Sequence, residues 1–269
     1  MNIIERNFYR LLRVGALHTE EQIEPLSAWK WNRLYQLAEM HDVAAIIYKG
    51  IEACRGQFFV QVPDRLLEQW AEAVPHDETT ENDLITANRL TNPILNRQLQ
   101  NILDAEGSNI ETRTALLHLV GIARFIMNAG IPVKRLTELA TFLRQPTAGR
   151  IDFSLLESWI IRLKLGAMAQ LTAAMLVRLM HFTPEELPFM QPTTEDRMDK
   201  QMHEILRQKN SHAEEWYFSQ GKDIFIHTSN AAAMLWHVRR SAKYFSYYPT
   251  ETVTNFFTTF AHSLSHIEE

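Results

Sequence analysis

Apolar residues recur at three- and four-residue intervals through most of the chain, the spacing that places side chains on one face of a helix. In the first segment Ile4, Phe8, Leu11 and Leu12 form such a stripe, with Gly15 placed to end it. Ser27 is positioned to cap "AWKWNRLYQLAEMH", whose Trp31, Leu34, Tyr35 and Ala38 share a face. "VAAIIYKGIEA" reads as a short buried helix, and "RGQFFVQV" is the one stretch of any length that resembles a strand. A single strand makes no sheet. "PDRLLEQWAEAV" then leads through the polar "PHDETTEND" into "LITANRLTNPILNRQLQNILDAE". There Pro93, which lacks an amide proton, should begin a new helix or kink this one.

The pattern breaks at Glu106-Gly107 and resumes almost at once. Ser108, with Glu111 three residues on, has the spacing of a capping box ahead of the apolar "ALLHLVGIARFIM". "VKRLTELATFLR", "FSLLESWIIRLKL" and "AMAQLTAAMLVRLM" follow, separated by "QPTAGR" and Gly166; Asp152 or Ser154 is available to cap the second of them. Past the Pro-rich "FTPEELPFMQPTTED", helices are expected through "RMDKQMHEILRQK", "AAAMLWHVRRSAKYF" and "ETVTNFFTTFAHSL". The prediction is an all-α protein, an irregular bundle of about ten helices with no substantial sheet. Its parts are an N-terminal helical part, 1–106, and a C-terminal one, 107–269, packed together as one domain.

Composition agrees with that class and removes some functions. In 269 residues there are only nine glycines and ten prolines, few for a turn-rich β fold, and 46% hydrophobic content is ample for a core. A formal charge of −5 argues against a chain devoted to neutralising phosphates. Cys54 is the only cysteine, so neither an internal disulfide nor a thiolate metal cluster can form. With no signal-peptide core and no apolar run of about 18 residues, a soluble cytoplasmic protein without a membrane span is expected.

The candidate chemistry is thin. Gly107-Ser108 has the look of a nucleotidyltransferase phosphate loop, which requires a preceding strand and a following pair of carboxylates that bind magnesium. Here a helical segment precedes, positions 117–119 read Leu-His-Leu, and the pairs Glu81/Asp83 and Asp104/Glu106 lie on the wrong side. Arg113 and His118 match the short Arg-x4-6-His signature of small all-α ribonucleases, although residues five apart on one helix point well away from each other. His262 and His266 share a helix face, but two ligands do not close a metal site. "HVRRSAKYFSYY" mixes Arg239, Arg240 and Lys243 with Tyr244 and other aromatics, as a phosphate or partner patch would; a solvated face over a core accounts for the same pattern.

A resemblance adds to this reading. "WNRLYQLAEMHDVAAIIYKGIE", "VPDRLLEQWAEAV" and "ENDLITANRL" resemble the N-terminal helices of the uncharacterised nucleotidyltransferase family of Bacteroidetes. Residues 115–143 and the stretch to the end resemble its C-terminal helical part, in which a His-containing helix precedes Gly-Ile-x-x-Arg-x-Leu-x-Asp; the local form is "GIPVKRLTELA". The family carries an α/β palm between these parts, with a Leu-Lys-Gly turn and a Gly-Asp-x-Asp metal motif. Nothing separates them here but the break at 106–108, and Lys49-Gly50 is only a superficial echo of the first motif. Lys134 stands where the family has arginine, Glu138 where it has aspartate, and Ile122 replaces one of two histidines while His118 is kept. A lysine does not reproduce a bidentate guanidinium contact.

The resemblance thus implies a non-catalytic, palm-less relative of nucleotidyltransferases that acts as a protein- or ligand-binding helical module without a cofactor or metal. His118, Lys134, Arg135 and Glu138 would form a residual ligand or interaction site, and a protein partner or self-association is expected, without specific nucleic-acid binding. The alternative is an enzyme, either a divergent nucleotidyltransferase or an RNase-like all-α dimer using Arg113 and His118.

Overall fold

A computed structural model describes residues 1–72, 89–105, 109–128, 133–190, 245, 247–254 and 257. Among them 73% are helical and none lies in a strand, so the chain is all-α. In order the helices are α1 (Ile3–Leu17), α2 (Ala28–Met40), α3 (Ala44–Cys54), α4 (Asp64–Ala71), α5 (Pro93–Leu103), α6 (Ile110–Asn128), α7 (Val133–Arg144), α8 (Phe153–Arg162) and α9 (Gly166–Met180). Single 3-10 turns occupy Pro146–Arg150 and Pro184–Glu186, and a further helical stretch covers 249–254.

These elements belong to two compact units assembled from interleaved segments. The first takes Met1–Thr80, Pro132–Gly149 and Leu176–Phe182; the second takes Glu81–Ile131, Arg150–Met175 and Thr183–Glu269. In the first unit α1 packs chiefly on α3 and also meets α2 and α7, while α4 closes against α2 and α3. Phe8, Leu11, Leu12, Trp31, Leu34, Ile47, Ile51 and Trp70 are fully buried there, the stripe that the apolar period predicts. In the second unit α6 packs on α8, and Leu116, Val120, Ala123 and Ile126 of α6 are buried.

Gly15 does not end α1, as its position suggested. It lies inside the helix because α1 and α3 touch there backbone to backbone: a Cβ on Gly15 would come within 1.9 Å of the Ile46 carbonyl oxygen. Gly50 answers from α3, where a Cβ would meet the Leu11 carbonyl oxygen at 2.1 Å. The helix instead stops at His18, in the left-handed conformation with φ 55°. Asp42, Lys164 and His181 follow α2, α8 and α9 in the same conformation, so four helices end on a non-glycine residue that carries the left-handed cost.

Caps depart from the expected residues in a similar way. Ser27 occupies the N-cap of α2 without a side-chain cap bond. α6 begins at Ile110 and is capped by Asn109, whose Oδ1 accepts from the Thr112 amide at 2.8 Å; Gly107 and Ser108 lie outside the described residues. Glu111 accepts instead from the Arg150 guanidinium at 3.2 Å. Of the two candidates before α8, Asp152 is the cap, accepting from the Leu155 amide at 2.9 Å. Pro93 does open α5, with Asn92 accepting from the Ile94 and Leu95 amides. The strand-like 55–62 folds as successive turns, closed by Gln57 N–H to Cys54 O and Val60 N–H to Gln57 O.

A carboxylate from far along the sequence completes the entry to α5. Glu251 is fully buried and accepts from the Thr91 amide, the Thr91 hydroxyl at 2.8 Å and the Asn92 amide at 2.9 Å. Beside it the buried Tyr248 hydroxyl donates to the Leu163 carbonyl at the end of α8, at 2.8 Å, and burial holds that phenol well above its ordinary pKa.

Gly50→Ala should lower the unfolding free energy by about 3 kcal/mol, since the obstructing Leu11 carbonyl oxygen is backbone and cannot turn aside. Gly149→Ala, with open space around the new Cβ, should stay within about 0.5 kcal/mol in the same urea titration. Glu251→Ala leaves the half-buried Thr91 and Asn92 amides without their acceptor and should cost about 2 kcal/mol, read as a fall in the denaturation midpoint at constant slope.

Candidate binding groove

The first unit carries a groove of about 1130 Å³ between the C-terminal half of α1, the α1–α2 connection and the turns after α3. Its construction starts from α1. Arg6, Arg10 and Arg13 follow the i, i+4, i+7 spacing that sets three guanidinium groups along one helix face. Opposite them runs the connection 18–27, which contributes Glu21 and Glu24. Arg6 holds Glu24 at 2.7 Å and Arg10 reaches the same carboxylate at 2.8 Å. Arg13, buried, donates to Glu21 at 2.7 Å and to the Leu179 carbonyl at 2.7 Å.

Two carboxamides fasten the connection by imitating a neighbouring backbone. The buried Asn7 donates to the Glu24 carbonyl at 2.8 Å and accepts from the Glu24 amide at 3.0 Å. Gln57 donates to the Glu21 carbonyl at 2.6 Å and accepts from the Ile23 amide at 2.9 Å. Between these clamps Ile23 drives its side chain inward and is buried. The irregular backbone has its hydrogen bonds met by side chains, as it must where no strand lies alongside.

The other wall comes from the end of α3 and the turns beyond it. Cys54 is buried, and its thiol is raised above its ordinary pKa by that burial and then by Glu21. Phe58 and Phe59 stand out instead, 79% and 53% exposed, their rings edge to face with centroids 5.3 Å apart. At the far end of Glu21, His181 Nδ1 lies 3.8 Å away, with its pKa lowered by burial and by Arg13. The groove sets the ion-paired Glu21 and Glu24 beside an exposed aromatic ridge, with the Cys54 thiol buried in its wall.

The residues singled out in the sequence fall elsewhere. His118 lies on α6 in the second unit and is 8% exposed. Arg113, on the same helix, donates to the Leu103 carbonyl at 3.0 Å and so closes the C-terminus of α5. Lys134, Arg135 and Glu138 lie on α7 in the first unit, half-buried, with Lys134 bound to Asp42. Arg239, Arg240, Lys243, Tyr244, His262 and His266 lie outside the described residues, as do Glu81, Asp83 and Glu106. Among the described residues no three His, Cys, Asp or Glu side chains converge as a metal ion would require, and no helix is long and apolar enough to cross a membrane.

Sequence reasoning missed Asn7, Gln57 and the Phe58-Phe59 ridge. The arginine spacing in α1, followed by acidic residues just past its end, was the available signal for the ion pairs. Nothing local announces that Gln57 pairs with a backbone 36 residues before it.

Comparison with protein-family models, with curated proteins and with solved structures finds no match for this chain.

Glu24 is held at a pKa of about 2, first by the Arg6 hydrogen bond and then by the nearby charges of Arg6 and Arg10. A carboxyl with a depressed folded pKa contributes stability above its unfolded value, and that contribution disappears as pH falls through the folded one. Acid titration of the chain should therefore show a loss of stability between about pH 4.5 and pH 2 that is smaller in Glu24→Gln. Equal acid sensitivity in the two proteins would contradict the assignment.

Proposed function

We propose that the chain is a non-catalytic helical binding module that recognises a protein partner through the groove of its first unit. The observation that carries this reading is the Phe58-Phe59 ridge, two large aromatic side chains held in contact with each other and left in solvent beside a concavity. Exposed aromatic pairs of this kind are the side chains that dominate protein interfaces, because they bury much area at little conformational cost. Of the polar residues around them, Glu21, Glu24 and Gln57 are occupied in holding the connection 18–27, and Arg113 and Lys134 have structural partners.

The ancestry that fits this reading is a relative of nucleotidyltransferases whose two helical parts remain without the palm. It rests on the sequence resemblance alone. The rival reading, an enzyme that uses Arg113 and His118, requires His118 to reach a substrate.

Two measurements separate the readings. Peptides selected by display against the full chain should lose binding at least tenfold when Phe58 and Phe59 are both replaced by serine, with the helical circular dichroism unchanged. Selected peptides indifferent to that change would count against the groove. Labelled ATP and RNA should remain unprocessed in the presence of magnesium; turnover that disappears in His118→Ala would replace the binding module with the enzyme.

A further inference from the structure

We propose that His181 is a pH-sensitive latch on the connection 18–27, opened in mild acid when its imidazolium competes with Arg13 for one oxygen of Glu21. The residues involved all lie in the first unit. Glu21 Oε1 accepts from Arg13 Nε at 2.7 Å, and the same oxygen stands 3.8 Å from His181 Nδ1. Arg13 is buried, its guanidinium also donates to the Leu179 carbonyl, and Glu21 is the carboxylate that compensates its charge. His181 is placed differently. Its side chain is 60% exposed, so protons reach it without any rearrangement. Its backbone, in the left-handed conformation one residue past α9, is fixed by Arg144, which donates to its carbonyl at 3.4 Å and covers the Phe182 ring at 4.4 Å. The imidazole therefore answers protonation by turning about its side-chain bonds while the end of α9 is held.

The charges around the ring set the direction of the switch. Glu21 faces it from the connection, Arg10 and Arg13 from α1, and Arg144 from the end of α7. At 3.8 Å a neutral imidazole makes no hydrogen bond to Glu21, and the carboxylate stays with Arg13. An imidazolium adds a cation where Arg13 already holds the nearby carboxylate. Burial and then the Arg13 charge outweigh the attraction of Glu21, and they hold the His181 pKa below its ordinary value of 6.5. A histidine with a depressed folded pKa contributes stability that is complete above about pH 6.5 and declines as pH falls toward the folded value. As it declines, Glu21 turns from Arg13 to the imidazolium, and the buried guanidinium is left with the Leu179 carbonyl alone. The connection then hangs on the bonds that Asn7 and Gln57 make to the backbone of Glu21, Ile23 and Glu24. The latch is a property of the fold and stands whether or not the groove takes a protein partner.

Two measurements on the full chain test the latch. In a nuclear magnetic resonance titration the His181 ring, assigned by its disappearance in His181→Asn, should have its midpoint below 6.5. Asparagine accepts the left-handed backbone at this position. Glu21→Gln should lower the midpoint further, and Arg10→Gln, which leaves the pair of Arg13 with Glu21 intact, should raise it. In hydrogen exchange corrected for intrinsic rates, the Ile23 and Glu24 amides should open about threefold or more readily at about pH 5.5 than at about pH 7.5, and His181→Asn should remove that difference. A midpoint at or above 6.5, or one that neither variant moves, would overturn the latch. Amide protection that is independent of pH, or that varies equally in His181→Asn, would overturn it as well.

Discussion

The first unit depends on a contact made without side chains. Where α1 crosses α3, Gly15 faces the Ile46 carbonyl and Gly50 faces the Leu11 carbonyl, at separations that leave no room for a methyl group. Such a crossing fixes the distance between the two helices and their sliding register, since displacement in either sense brings a side chain against a backbone. Everything in the groove inherits that register. The arginine face of α1 and Gln57, just beyond the end of α3, converge on the connection 18–27 because the crossing sets where each helix ends.

Both units use the same device for irregular backbone. In the first, Asn7 and Gln57 supply a donor and an acceptor each to a connection that no strand accompanies. In the second, Glu251 receives the amides of Thr91 and Asn92 where the chain enters α5. Asn7 and Glu251 are fully buried, which is tolerable only when their hydrogen bonds are complete, and Gln57 is half-buried. The ion pairs of the groove follow a different logic. Arg6 and Glu24 are partly exposed and contribute modestly, whereas the buried Arg13 requires Glu21 and the Leu179 carbonyl together.

The all-α class and most helix positions were legible because apolar period and proline placement are local signals. Pro93 opened a helix as its chemistry demands. Helix ends were less legible, because the rule that glycine stops a helix misdirected at Gly15, which serves packing, while His18, Asp42, Lys164 and His181 stop helices without being glycine. Residues 55–62 resembled a strand since aromatic and β-branched residues favour one, yet that preference needs neighbouring strands to express it. The groove was least legible of all. Its clamps join residues 17 to 36 positions apart, and its most informative feature is that Phe58 and Phe59 are exposed, which composition cannot reveal.

The interleaving of the two units carries a consequence for synthesis on the ribosome. The N-terminal helices of the first unit emerge early, but the unit also includes Leu176–Phe182, and the buried Arg13 finds one of its two acceptors on Leu179, 166 residues downstream. Until that carbonyl arrives, the guanidinium is left half-satisfied in a position from which water is being expelled. The first-made half of this protein is therefore finished late, and the nascent chain is exposed to chaperones and proteases for longer than a domain that closes on its own segment.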